Sequence, residues 1–124
     1  MLGEVPVGIL ARVEDAQRWD HGAHEARWLD LAEALRAEGW QAALTCTACP
    51  VQMEGQLPSG EAFYFRARHN DVTLSVGGDD PSDIPAWEQG EVHVDASFLP
   101  ADDGEAIIRR LAANYAEGQP PQFV

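Results

Sequence analysis

The sequence predicts an α+β fold: two layers, with a mainly antiparallel sheet packed by an N-terminal and a C-terminal helix. Three observations carry this. Apolar residues alternate with period two in consecutive runs from Val51 to Gly77, which is the strand signal. The breaks between those runs are two or three turn-forming residues long, so the strands are hairpin neighbours. A stripe of apolar residues at helical spacing lies on each side of this region, and the apolar sheet face needs such a cover.

Taken in order, residues 1–20 read two ways. Val5, Val7 and Ile9 alternate like an edge strand, where Pro6 is tolerated, while Pro6 could equally open a helix. A short extended segment is the reading adopted. Asp20 caps a helix beginning near His21, in which Trp28, Leu31, Ala32 and Leu35 form the stripe and Gly39 the stop. Trp40 to Cys46 alternates as a strand, with Trp40, Ala42, Leu44 and Cys46 on one side.

The meander follows. Apolar residues must face apolar residues, and a one-residue slip would reverse every side chain. This selects a three-residue loop at Pro58–Gly60, with Met53 opposite Phe65, Val51 opposite Ala67 and Gly60 in the left-handed position. A two-residue loop at His69–Asn70 then sets Ala67 against Val72, Phe65 against Leu74 and Arg68 against Asp71. The last pair is expected to form an exposed cross-strand ion pair worth about 0.2–1 kcal/mol. Residues 77–90 read as an acidic loop pinned by Ile84 and Trp87. Glu91 to Asp95 reads as a short strand with Val92 and Val94 inward and His93 outward. Asp102 and Glu105 match a capping box opening the last helix, whose stripe is Ile107, Ile108, Leu111, Ala112 and Tyr115. Gly118 and two prolines end it, and residues 116–124 are expected to fray.

The length fits a single domain, 1–124, able to bury a core without disulfides. The chain has no apolar run long enough to span a membrane and no signal-peptide pattern, and two cysteines suit a reducing compartment; a cytoplasmic location is expected. The charge is lopsided: eight basic residues, all Arg, against 21 acidic ones, a net −13. That balance argues against direct binding of nucleic acid or an anionic membrane and favours a basic protein partner.

Three constellations could carry function. Cys46-x-x-Cys49 is followed by Pro50 and a strand, so it lacks the helix N-terminus that activates a redox thiol. With His21 and His24 it makes a Cys₂His₂ set, and zinc is the one cofactor considered; two half-buried structural thiols are the plain alternative. Between Arg68 and Arg109 no basic residue interrupts Asp71, Asp79, Asp80, Asp83, Glu88, Glu91, Asp95, Asp102, Asp103 and Glu105. This is either a solvated acidic surface or a patch that docks on a basic groove by mimicking phosphates. The loop D-D-P-S-D lacks the ligand pattern of a calcium loop. The polar sheet face carries Glu54, Tyr64, Arg66 and His93. Either Arg66 is neutralised by Glu54 or Gln52, or the face binds a partner, since Tyr and Arg are enriched at binding hot spots.

The segment Cys49–Gly78, with its E-G-x-L…G…F-Y-F-R-x-R core, resembles a pattern found in small proteins of actinobacterial and phage genomes. The resemblance covers about a quarter of the chain and implies no activity. It implies an accessory or phage-borne protein, some of which bind and block a host factor. No nucleophile, base and orienting group can be placed together. The expected function is therefore that of a non-enzymatic acidic interaction protein, binding through Asp79, Asp80, Asp83, Glu88, Glu91, Asp95, Tyr64 and Arg66. It would act as a phage- or mobile-element-encoded inhibitor of a nucleic-acid-binding host factor. The alternatives are a zinc or thiol-redox domain on Cys46 and Cys49, and an enzyme whose cleft forms only in a dimer.

Overall fold

A computed structural model of the chain describes residues 20–47, 51–77 and 85–123. Helix α1 (His21–Ala37) is followed by strands β1 (Gln41–Thr47), β2 (Val51–Gln56), β3 (Ala62–Arg68), β4 (Asp71–Val76) and β5 (Trp87–Val92). A single 3₁₀ turn (Ala96–Phe98), helix α2 (Ala101–Ala116) and strand β6 (Gln122–Phe123) complete it. The six strands form one sheet in sequence order, antiparallel except for the parallel β5–β6 pair. This is the α+β architecture predicted, with the apolar stripes of both helices buried.

The meander has the expected registers. Met53 lies opposite Phe65 and Val51 opposite Ala67; Phe65 lies opposite Leu74, and Ala67 opposite Val72. The Leu57 N–H donates to the Glu61 carbonyl at 2.9 Å across the three-residue loop, where Gly60 has φ +102°. Arg68 stands opposite Asp71, yet among the described residues no salt bridge joins the two exposed side chains. Gly55, the glycine of the E-G-x-L pattern, has φ +154°, and a Cβ there would sit 1.7 Å from the Gln41 carbonyl oxygen. That glycine is a packing requirement of the β1–β2 pair.

The cap of α1 is formed as expected, with the Ala23 N–H donating to Asp20 Oδ1 at 3.0 Å. Trp28, fully buried, leaves the helix toward both the sheet and α2. Its ring centroid is 6.2 Å from that of Phe65, and its Nε1–H donates to the Leu99 carbonyl at 2.9 Å. Trp40 packs edge-on against Phe63 at 5.3 Å. A register shift between Leu44 and Cys46 interrupts β1, leaving Leu44 opposite core-facing Met53 and Cys46 opposite Gln52 of the outer row. Cys46 therefore departs from the Trp40–Ala42–Leu44 row that alternation assigns it.

Four further expectations are corrected. The capping box of α2 is not made: the helix starts at Ala101 behind an extended Pro100, with no side-chain cap. Asp102 and Asp103 lie in the first turn, where the helix dipole favours them, and Glu105 turns to Arg109 one turn on. The strand placed at Glu91–Asp95 is instead Trp87–Val92. Val92 and Val94 are 60% and 72% exposed rather than inward, because Trp87, Gln89 and Glu91 take the helix-facing positions. Residues 87–90, placed in the loop, belong to this strand; Ile84 lies outside the described residues. The tail is pinned rather than frayed. Trp87 Nε1 donates to the Gln119 carbonyl and Gln89 Nε2 to the Pro120 carbonyl, both at 2.8 Å, before Gln122 and Phe123 pair with Gln89 and Gly90. Asn114 Nδ2 donates to Gln89 Oε1 at 2.9 Å, so the buried Gln89 amide is satisfied at both ends. The proposed lead-in strand of residues 1–19 lies outside the described residues.

No described helix is long and apolar enough to cross a membrane. At the C-terminal end of α2, Tyr115 stacks edge-on to Trp87 at 5.2 Å, and its hydroxyl donates to Glu61 Oε2 at 2.7 Å. That bond lowers the Glu61 carboxyl pKa and raises the Tyr115 phenol pKa.

Two predictions follow from this packing. A Cβ at Gly104 would lie 2.2 Å from the Trp28 ring, which has no free volume to enter. Gly104→Ala should therefore destabilise by about 1–3 kcal/mol through overpacking, outweighing the ~1 kcal/mol that alanine normally brings to a helix; a urea midpoint at or above that of the wild type would contradict it. The Glu61–Tyr115 pair should stabilise the fold between its two titrations. Its contribution is lost as pH falls through the depressed Glu61 pKa, below 4.5, and as pH rises through the raised Tyr115 pKa, above 10. Tyrosinate absorbance should show a component above pH 10 that moves back toward 10 in Glu61→Gln.

Candidate functional site

Both helices cover one side of the sheet, and among the described residues no helix covers the other. Strand alternation assigns this outer face its chemistry. One row across it runs Ala43, Glu54, Tyr64, Ser75, Glu88; the next runs Gln52, Arg66, Thr73, Gly90; the third holds Arg68, Asp71 and Val92. Phe123 closes the second row. Its ring lies where a Cβ of Gly90 would be, 2.6 Å from that position, and a Gly90 Cβ would also crowd Thr73. Val92 and Phe123 are 60% and 56% exposed, so two of the five exposed large apolar side chains among the described residues belong to this face. Ser75 Oγ donates to Glu88 Oε2 at 2.6 Å, holding that carboxylate against β4.

The described arginines of the helix side all have partners. Arg109 grips both carboxylate oxygens of Glu38 at 2.7 and 2.8 Å and reaches Glu105 at 2.9 Å. These bonds lower the Glu38 pKa and raise that of Arg109. Arg110 pairs with Glu91, Arg27 lies 3.9 Å from Asp102, and His93 Nε2 lies 3.4 Å from Asp103. Arg36 donates to the Ala42 carbonyl at 2.6 Å.

On the outer face the pairing stops. Arg66 is half-buried; its Nε is sealed from solvent and has no hydrogen-bond partner. The expected neutralisation by Glu54 or Gln52 is not made. Gln52 is opposite Arg66, but its Oε1 accepts from Thr45 Oγ1 at 3.3 Å, and Glu54 stands one row away opposite Tyr64. Arg66, Arg68, His69, Asp71 and Thr73 line an open depression of about 280 Å³.

Of the residues expected to bind a partner, Tyr64, Arg66 and Glu88 share this face. Glu91 does not: it faces the helices and is taken up by Arg110. Asp95 occupies a left-handed turn at φ +58° beyond the end of β5, and its N–H donates to Asn70 Oδ1 at 3.1 Å. Asp79, Asp80 and Asp83 lie outside the described residues. The acidic interval is thus divided between the two sides of the sheet. Phe123, Val92 and Thr73 were missing from the sequence-based set. Phe123 offered no signal, since a two-residue strand has no periodicity.

Of the proposed zinc ligands, Cys49 lies outside the described residues and Cys46 is half-buried on β1. His24 is buried, and its Nε2–H donates to the Thr47 carbonyl at 2.6 Å, so that nitrogen carries a proton and not a metal lone pair. His21 is exposed at the start of α1, 3.7 Å from Glu25. Among the described residues no three of His, Cys, Asp and Glu converge as a metal site.

Gly90→Ala should unseat the Phe123 ring and open the β5–β6 pairing. The expected result is faster hydrogen exchange at Phe123 and a loss of about 1 kcal/mol or more; unchanged exchange at Phe123 would contradict it. Comparison of the chain with family models, with curated proteins and with solved structures found no match.

Proposed function

We propose that this protein is a non-enzymatic interaction protein that docks the face of its sheet left uncovered by the described helices onto a basic protein surface. The observation that carries the reading is the contrast between the two sides of the sheet. Arg109, Arg110 and Arg27 meet carboxylates on the helix side, while on the outer face neither the arginines Arg66 and Arg68 nor the carboxylates of Glu54 and Asp71 form an ion pair among the described residues. The same face carries exposed Phe123 and the half-buried Tyr64 and Arg66, residue types enriched at interfaces, and exposed Val92 adds apolar area. With a net charge of −13, the molecule as a whole attracts a basic partner at long range, and the face supplies the contact.

The partner class this favours is a nucleic-acid-binding protein, whose basic groove the carboxylates of this face would meet. Inhibition follows from that occupancy, because the groove cannot hold this face and a nucleic acid at once. A role as an inhibitor carried by a phage or mobile element is the biological setting proposed, in line with the resemblance of the β2–β4 segment.

Immobilised protein should retain a basic protein from a host lysate, released as salt rises from about 0.05 to about 0.5 M. Replacing Glu54, Asp71 and Glu88 together by their amides should slow association of that protein by about tenfold or more, with a smaller effect on dissociation. Retention independent of salt, or an unchanged association rate in the triple variant, would refute the reading.

A further inference from the structure

The outer face is not uniformly acidic. Near its middle, on the third of six strands, it holds a cation that no described residue satisfies. Arg66 is flanked by Gln52 on β2 and Thr73 on β4, and neither is an acidic neighbour. Its Nε is shielded from solvent without an acceptor, while every described arginine on the helix side has one or lies beside a carboxylate. Its guanidinium forms no ion pair among the described residues, and the half-buried side chain lines the open depression, where an incoming acceptor can meet it. Arg68 adds a second guanidinium two residues along the same face, on the same open depression.

The geometry points to Arg66 as the receiver of a carboxylate side chain from the docking partner: an Asp or Glu set among Lys or Arg residues. In that pose its carboxylate meets the Arg66 guanidinium, and the surrounding basic residues meet Glu54, Asp71 and Glu88. This inference rests on the docking reading and names the chemistry at its centre.

Charge complementarity selects this occupant over a phosphate. Glu54 lies across from Tyr64, two residues from Arg66, and Asp71 lies across from Arg68, so any anion reaching Arg66 passes within about 5–8 Å of carboxylates. A free phosphate carries nothing to offset them. A protein carboxylate arrives with its own basic neighbours, converting each repulsion into an attraction. The depression is too open to enclose a small molecule, whereas the exposed Phe123 and Val92 on the same face give a protein surface apolar area to cover. Arg also offers a planar fork that matches a carboxylate with two parallel hydrogen bonds, a match a lysine would not supply.

The test uses the full chain labelled with ¹⁵N and three probes: acetyl-Lys-Glu-Lys-amide, acetyl-Lys-Gln-Lys-amide and inorganic phosphate. The glutamate peptide should shift the Arg66 Nε–H signal and the Gln52 and Thr73 amides at concentrations about tenfold lower than the glutamine peptide. Arg66→Ala, checked for an unchanged amide spectrum elsewhere, should erase that difference, and Arg66→Lys should restore only part of it. Equal titration by both peptides overturns the assignment without needing any variant to fold. Phosphate shifting the same signals as strongly as the glutamate peptide also overturns it, in favour of a general anion site. A salt-sensitive partner in the lysate experiment, combined with equal peptide titrations, keeps the docking reading and removes Arg66 from its centre. Selectivity for the glutamate peptide with no such partner supports the Arg66 site and removes the proposed function.

Discussion

One indole holds the two layers together. Trp28 projects from α1, lies against Phe65 in the middle of the sheet, occupies the notch that Gly104 leaves in α2, and donates its N–H to the Leu99 carbonyl just before α2 begins. Each contact belongs to a different element, so one side chain sets the spacing of α1, α2 and the sheet together. A buried tryptophan brings a large apolar area but carries an N–H that must be satisfied. The Leu99 carbonyl meets that need because Pro100, which follows it, cannot continue the chain as helix and fixes where α2 starts. The position of the second helix is thus tied to the hydrogen bond of a residue in the first.

The division of charge follows from the same packing. Drawing α1 and α2 onto one side of the sheet brings Glu38 from the end of one helix to Arg109 on the other, and Arg27 near Asp102. Exposed pairs of this kind contribute little to stability singly. Their effect is on what remains: the described arginines of the helix side are occupied, while Arg66 and Arg68 on the opposite face are not. A small protein with few cations can acquire a polarised surface simply by where its helices land.

Alternation made the meander legible down to single residue pairs, because the strands from β2 to β4 separate apolar from polar side chains with Ala62 as the one departure. The same rule failed at β5. There Trp87, Gln89 and Glu91 face the helices while Val92 faces out, so polarity and burial disagree. Gln89 is tolerated inside because Asn114 and Pro120 satisfy its amide, partners 25 and 31 residues away that no local window contains. The cap of α2 misled for a different reason: Asp102 and Glu105 have the spacing of a capping box, but Leu99 and Pro100 start the helix earlier for the sake of Trp28. At the site, Tyr64 and Arg66 could be placed on the polar face from sequence. That Gln52 would turn to Thr45 and leave Arg66 unmatched depends on the irregularity in β1, where spacing gives no warning.

The order of the sheet has a kinetic corollary. From β1 to β5 every strand pairs with its neighbours in sequence, so the tighter hairpin turns close loops of only a few residues, with Leu57 bonding Glu61 as an example. The Trp28 to Leu99 bond spans 71 residues. On chain-entropy grounds, closing the longer loop costs about 2.5 kcal/mol more than closing a turn. The meander is thus the part that assembles from local encounters, and the helical layer arrives as a late, distant closure onto a surface already in place. The outer face, which needs no helix to define its rows, takes shape at the first of these two tempos.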